Sequence, residues 1–238
     1  MGGEFVNDCL RFMQARWRGR EYCLLCAGRG AEFGLCPGCR RDLPWQRAAC
    51  TRCALPLAIT AVCGACLRAS PPQDGTWSVF AYHPPLDFMI RRLKFRGELA
   101  WARALGTLMA DELFRRCPER PEAIVPVPLH RRRLAGRGYN QALELARPLA
   151  RRYGIPIVPD LCLRPRPGIE QTMLDAAARR ANVRGAFLVR RPPPATVAIV
   201  DDVLTTGSTV AALARALRRA GAERVLVWVC ARAVLAPA

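Results

Sequence analysis

A chain of 238 residues with a hydrophobic fraction of 51% is long enough for one sizeable domain and one small one, with ample side chains to fill a core. Its formal net charge of +18, from 37 Lys and Arg against 19 Asp and Glu, draws it toward polyanions, with an affinity for nucleic acid that falls steeply with salt. No apolar run approaches the ~20 residues of a membrane span, the first residues lack a secretory apolar core, and Val6 breaks the myristoylation pattern, so a cytoplasmic protein is expected, whose 12 cysteines point to metal rather than to disulfides.

Phe5, Cys9, Phe12, Met13 and Trp17 recur at helical spacing, which predicts an amphipathic first helix packed on the body. With Arg11, Arg16, Arg18 and Arg20 beside them, a helix lying on a membrane surface is the rival reading. Next come Cys23, Cys26, Cys36 and Cys39, and then Cys50, Cys53, Cys63 and Cys66, two sets that share one spacing pattern. Each CxxC turn presents two thiolates to one ion and two turns complete its shell, so two structural Zn²⁺ sites are expected. Four thiolates leave no open position for substrate. Sequential pairing within each set is the first expectation, and a cross-braced exchange between sets is the alternative. Metal ligation supplies the stability that a segment this short and rich in Gly and Arg lacks, on the order of 10–16 kcal/mol per zinc in comparable peptides. Arg29, Arg40, Arg41, Arg47 and Arg52 with Trp45 form either a basic nucleic-acid surface or a solvated face. Cys117, Cys162 and Cys230 fall outside the pattern and read, with Cys9, as small core residues.

The run Ser70 to Gly75 has linker composition and divides a zinc-ribbon module, 1–69, from a second domain, 76–238. In that domain Trp77 to Tyr82 reads as a strand, and Pro84 to Phe95 as a short helix carrying Lys94, the single lysine of the chain. A compact ammonium is wanted there, or Lys94 is a chance survivor on a charged face. A helix from Glu98 to Arg116 and a buried strand from Ala123 to Val127 follow. The strand runs into PLHRRRLAGRGYNQ, where His130, Arg131, Arg132, Arg133 and Arg137 crowd a segment expected to be a loop, flexible at Gly136 and Gly138. It suits a pyrophosphate or a nucleic-acid backbone, against the rival of a disordered, solvated basic loop. Tyr139 to Tyr153 reads as a helix despite Pro148, Leu174 to Asn182 as another, and Phe187 to Val189 and Arg224 to Cys230 as strands. The alternation predicts an α/β domain with a mostly parallel sheet and flanking helices.

Between the last two strands lies VAIVDDVLTTGSTV, Val197 to Val210. Its apolar run suits a strand buried on both faces, which places Asp201 and Asp202 at the strand's carboxyl end, where open α/β sheets bind ligands. Thr205, Thr206, Gly207, Ser208 and Thr209 then open a helix patterned by Val210, Leu213, Ala214 and Leu217. A hydroxyl-rich, glycine-containing bend at a helix N-terminus suits a phosphate, and paired carboxylates accept hydrogen bonds from a vicinal diol or hold a cation through water. Diol and phosphate side by side describe a ribose 5-phosphate. The simplest rival is an acidic turn with a capping Ser or Thr. A Walker B strand is disfavoured because the chain has no GxxxxGK[ST].

This stretch resembles the phosphoribosyl pyrophosphate (PRPP) motif of type I phosphoribosyltransferases. The resemblance assigns Asp201 and Asp202 to the ribose hydroxyls and the loop of Val203, Leu204, Thr205, Thr206, Gly207, Ser208 and Thr209 to the 5-phosphate. Together with KFRGE (Lys94 to Glu98), PVPLHRRR (Pro126 to Arg133), RGYNQ (Arg137 to Gln141), and Gln171 with Arg180, Asn182 and Val183, the chain resembles the ComF (competence protein F) family. That resemblance implies a type I phosphoribosyltransferase-like domain behind a zinc ribbon. It also implies a role in natural transformation, with single-stranded DNA and the DNA-uptake machinery as partners. The first expectation is a protein that binds PRPP or a nucleotide, with Mg²⁺ accompanying PRPP. The second is an active phosphoribosyltransferase in which Asp201, Asp202, Lys94 and Arg131 serve catalysis and His130, Arg132, Arg133 and Arg137 hold phosphate. An adaptor with a vestigial pocket is the third.

Overall fold

The computed structural model describes residues 22–165 and 186–234. The first predicted helix, the predicted helix from Leu174 to Asn182, and Gln171, Arg180, Asn182 and Val183 lie outside the described residues. The helices and strands in chain order are α1 (Pro37–Arg41), α2 (Gly64–Arg68), β1 (Gly75–Ala81), α3 (Leu86–Arg96), α4 (Leu99–Arg116), β2 (Ala123–Pro126), α5 (Arg131–Arg137), α6 (Gln141–Tyr153), β3 (Cys162–Leu163), β4 (Leu188–Val189), β5 (Thr196–Leu204), α7 (Ser208–Arg219) and β6 (Arg224–Arg232).

The apolar runs of β5 and β6 make the middle of a four-stranded sheet ordered β1-β6-β5-β2, all parallel, as the β/α alternation predicts. Val197 to Val200 and Val225 to Ala231 are fully buried, and α7 covers them with Val210, Leu213, Ala214 and Leu217 at the predicted helical spacing. The short hairpin β3-β4 is antiparallel and lies outside this sheet.

Register refines one expectation. β2 ends at Pro126, level with Val200, whereas β5 keeps pairing with β6 as far as Leu204 opposite Arg232. Asp201 and Asp202 therefore lie in the carboxyl-terminal half of β5 without being its last residues, on the stretch where one neighbouring strand has already stopped. The basic segment is corrected: Arg131 to Arg137 is a short helix, not a loop. His130 Nδ1 accepts from the Arg132 amide at 3.3 Å to start it, and Gly138, at φ 80°, closes it by donating to the Leu134 carbonyl.

Helices α4 and α6 pack closely because Gly106 has no side chain. A Cβ there would lie 2.8 Å from the Leu145 carbonyl oxygen and 3.0 Å from Pro148 Cγ, so the proline within α6 is seated in the gap that Gly106 leaves. Gly106→Ala is expected to destabilise the fold by about 1–3 kcal/mol in denaturant titration, even though alanine is the better helix former.

The chain forms two compact units, Met1–Leu43 and Pro44–Ala238. The division falls ahead of the second cysteine set, not at the linker-like run after it, because that set is tied to the sheet. Ala81 N–H donates to the Pro44 carbonyl at 2.8 Å and Gln46 N–H to that of Val79 at 2.9 Å, while the Trp45 and Phe80 rings stand 4.7 Å apart. The Thr76 amide and hydroxyl donate to the Thr51 and Arg52 carbonyls at 2.9 and 2.7 Å. No helix among the described residues is long and apolar enough to cross a membrane.

Candidate functional site: an acid pair at a parallel sheet edge, with two thiolate clusters

Because the four strands run parallel, the segments that leave their carboxyl ends share one edge of the sheet. These are the segment from β1 into α3, the helix whose last turn carries Lys94, the entry to α5 with its arginines, the acids and hydroxyl bend of β5, and Arg232 at the end of β6. Residues far apart in sequence thus meet by topology alone.

Asp202 is 3% exposed, and its Oδ1 lies 2.9 Å from Lys94 Nζ. Its Oδ2 is buried without a hydrogen-bond partner. A buried carboxylate oxygen left open is costly and marks where a ligand donor or cation fits. Lys94 occupies the last turn of α3, whose end is fixed by the left-handed Gly97, φ 68°, and by the Tyr139 hydroxyl donating to the Leu93 carbonyl. Burial works against the ammonium's charge, but the carboxylate of Asp202 outweighs it and raises the Lys94 pKa. The single lysine of the chain is therefore at the acid pair, as its compact head group suggests, although it stands far from the acids in sequence.

Asp201 Oδ1 accepts from the Asp202 amide at 2.9 Å. Burial, and then the neighbouring charge of Asp202, push the Asp201 carboxyl up to about 7, against the opposing pull of Lys94, the Asp202 amide and Arg164. A carboxyl raised on folding from an ordinary value near ~3.9 binds more protons in the native than in the unfolded state between those two pH values. Its contribution to stability therefore falls as pH rises from about 4 to about 7. Asp201→Asn is expected to flatten this decline and to melt above the wild type at pH 8 but not at pH 5, as thermal melts at the two pH values would show.

Next in the chain, Gly207 (φ 77°) supplies the turn into α7, and Thr206 Oγ1 and Ser208 Oγ lie 3.0 Å apart. The Ser208 amide donates to Thr206 Oγ1 at 3.4 Å. First-turn amides of a helix have no intrahelical acceptor, and with the hydroxyls of Thr205, Thr206, Ser208 and Thr209 they form a donor-rich bend directly after the acids. Of the predicted cations, Arg131, Arg132 and Arg133 are exposed on α5 and His130 is its cap. Arg137 is engaged with structure: its Nη1 is 2.5 Å from Gln141 Oε1 and its guanidinium 5.9 Å from the centre of the Phe95 ring.

Several contributors escaped the sequence reading of the site. Arg164, after β3, is half-buried, with Nε buried and unpartnered; burial and the nearby charge of Arg133 disfavour its own charge and Asp201 supports it. Tyr139 fixes the helix of Lys94, and Asn140 joins β2 to α6 by donating to the Val127 carbonyl at 3.0 Å while accepting from the Ala142 amide at 3.0 Å. The compact RGYNQ run was the signal for the last two: its tyrosine and asparagine each bridge two elements.

The cysteines gather sequentially, Cys23, Cys26, Cys36 and Cys39 in one cluster and Cys50, Cys53, Cys63 and Cys66 in the other, with each cluster's sulfurs within 4.8 Å of one another. The cross-braced alternative is thereby excluded. Cys26 and Cys36 sulfurs are 3.7 Å apart, as are those of Cys53 and Cys63, close to the ~3.8 Å edge of a tetrahedron with Zn–S bonds near 2.3 Å. The two knuckles repeat one another: the amides of Ala27 and Ala54, both left-handed at φ 57° and 55°, donate to the Cys23 and Cys50 carbonyls at 2.8 Å. Amides also face the sulfurs, Cys39 N–H to Cys36 at 3.4 Å and Cys63 N–H to Cys50 at 3.3 Å. Burial would raise the Cys50 thiol, but the amides of Cys63, Arg52 and Cys53 hold it down at about 6. A closed set of four thiolates with such amide support fits structural Zn²⁺ and leaves no catalytic position.

Comparison with known proteins agrees with this anatomy. Residues 20–67 match the double zinc ribbon domain family. The DNA utilization protein YhgH of Salmonella typhimurium is 38% identical over 208 residues, 85% of this chain and 92% of its own. Competence protein F of Haemophilus influenzae is 36% identical over 225 residues, 89% and 96% of the two chains. A purine phosphoribosyltransferase from Pyrococcus horikoshii overlaps 58% of this chain and 78% of its own at 17% identity, with a TM-score of 0.33, too low to bear on the argument. With relatives this similar along nearly their whole length, a matching double zinc ribbon and a parallel α/β domain behind it, the chain belongs to the competence protein F family.

Proposed function

We propose that the protein binds PRPP or a nucleotide at the edge of its parallel sheet and acts in natural competence through single-stranded DNA. One observation carries the pocket: an acid pair whose Asp202 is buried with one oxygen unpartnered stands beside the chain's only lysine and shortly before a hydroxyl-rich helix start. In this reading Asp201 and Asp202 accept from the two ribose hydroxyls, Val203 to Thr209 wrap the 5-phosphate, and Lys94, Arg164, the α5 cap His130 and the α5 residues Arg131, Arg132 and Arg133 balance the remaining negative charge. The open Oδ2 of Asp202 is a hard oxygen donor of the kind Mg²⁺ takes, so these carboxylates fit the cation that accompanies PRPP, bound directly or through water. The DNA role rests on the relatives named for competence and DNA utilization and on the net charge of +18.

The cations around the acids favour a second reading, transfer. The bond from ribose C1 to pyrophosphate would break, a bond from C1 to an acceptor nucleophile would form, and the acceptor's proton would pass to solvent, while Lys94 and Arg131 neutralise the departing pyrophosphate. Calorimetric titration with PRPP and Mg²⁺ tests the pocket: one saturable site is expected, and absence of binding refutes both readings. A pyrophosphate-release assay across nucleobase and amine acceptors then separates them, since a binding protein releases none.

A further inference from the structure

The carboxyl-terminal strand ends in an arginine that the functional reading leaves unused. Arg232 lies opposite Leu204 in the sheet, and its guanidinium reaches in two directions. Nε donates to the Cys53 carbonyl at 3.2 Å, within the second thiolate cluster. Nη1 donates to the Leu204 carbonyl at 3.1 Å and to those of Thr205 and Ala233. Leu204 and Thr205 are the residues from which the hydroxyl-rich bend departs. The guanidinium is half-buried; burial works against its charge, and the sulfurs of Cys53, Cys63, Cys66 and Cys50 support it. Four thiolates on one divalent ion leave a net negative cluster, so a cation beside it is favoured while the metal is bound.

A planar guanidinium bonded to carbonyls on both sides is a rigid spacer: it passes position from one backbone segment to the other, which a lysine cannot do with one compact head. The Cys53 carbonyl is in turn fixed by its knuckle, where the left-handed Ala54 follows and its amide closes on the Cys50 carbonyl at 2.8 Å. The geometry points to Arg232 as a positioning residue that couples the second zinc cluster to the phosphate-binding bend, so that the metal sets the shape of the pocket as well as holding its own module. This inference rests on the proposed sugar-phosphate pocket for its consequence but not for its mechanical content, and the test keeps the two apart.

Arg232→Gln keeps a polar side chain but loses the charge and the fork. Elemental analysis should still find two zinc per chain, and hydrogen exchange of the unliganded protein should become faster in peptides covering Val203 to Thr209 while those of α4 are unchanged. Affinity for ribose 5-phosphate should fall on the order of tenfold or more, as expected for hydrogen bonds from a charged donor, and Arg232→Lys, which restores the charge but not the fork, should not restore it. Unchanged exchange in the bend of a zinc-loaded Arg232→Gln protein overturns the coupling, whatever the ligand does. Faster exchange in a protein whose wild type binds no ribose 5-phosphate leaves the coupling standing and removes the pocket reading. If Arg232→Gln fails to fold, wild-type protein loaded with ¹¹³Cd decides: following exchange-protected bend amides and both metal resonances, ribose 5-phosphate should shift one cadmium signal and leave the other. Binding with neither signal moved contradicts the coupling.

Discussion

Asp201→Ala with Asp202→Ala is expected to abolish the rise in melting temperature that PRPP and Mg²⁺ give the wild type, with affinity falling by about two orders of magnitude or more. Hydrogen bonds to charged acceptors are each worth roughly 1.5–3 kcal/mol, and both acceptors are lost together with the oxygens that fit Mg²⁺. The single variants separate this effect from stability. Asp202→Ala strands Lys94, whose Nζ has the Asp202 carboxylate at 2.9 Å, so it destabilises the unliganded protein as well as weakening binding. Asp201→Asn relieves a carboxyl whose charge is disfavoured by burial and by Asp202, so it stabilises the unliganded protein above neutral pH while still weakening binding. Loss of ligand affinity in both variants, despite their opposite effects on the empty protein, is what a functional acid pair predicts. Two acids of merely structural use would move stability and leave binding untouched.

Removal of zinc carries the other large effect. Wild-type protein should contain two zinc per chain, and Cys50→Ser or Cys66→Ser should lower that to one and unfold far more than its own knuckle. The second cluster is a core in its own right, with Cys50, Cys63 and Cys66 buried against Leu55, Leu57 and Val62, and its backbone is bonded to β1 through Thr51 and Arg52. Structural zinc contributes on the order of 10–16 kcal/mol in small peptides, comparable with the ~5–15 kcal/mol by which a whole domain is stable. Chelation should therefore collapse the cooperative melt of the protein, followed by circular dichroism alongside metal content. A chelated protein that melts as the loaded one does would contradict a structural role.

Much of the architecture was legible because it depends on local patterns. The apolar run of β5, the spacing of α7 and the repeated CxxC turns are each short-range signals, and each appears where the pattern put it. Lys94 stood out as the chain's one lysine and as the start of KFRGE, but its pairing with Asp202 needed the fold to bring α3 and β5 together. What was not legible is long-range or depends on pairing. The extension of β5 past the acids is decided by its neighbour β6, not by its own residues, and the helix of Arg131 to Arg137 depends on a cap at each end rather than on apolar periodicity. The attachment of the second cysteine set to the sheet comes from backbone hydrogen bonds, to which composition is blind. Arg164 and Arg232 were invisible for a related reason. In a chain where arginine supplies all but one of the basic side chains recorded as Lys or Arg, no arginine distinguishes itself until burial and partners single it out.

The most direct test of the whole account is a crystal structure of the protein with ribose 5-phosphate and Mg²⁺. The account predicts both ribose hydroxyls within hydrogen-bonding distance of the Asp201 and Asp202 carboxylates, roughly 2.5–3.0 Å, and the phosphate seated on the amides and hydroxyls of Thr205 to Thr209. A sugar phosphate bound elsewhere, with the acids turned toward Lys94 alone and the bend empty, would contradict it.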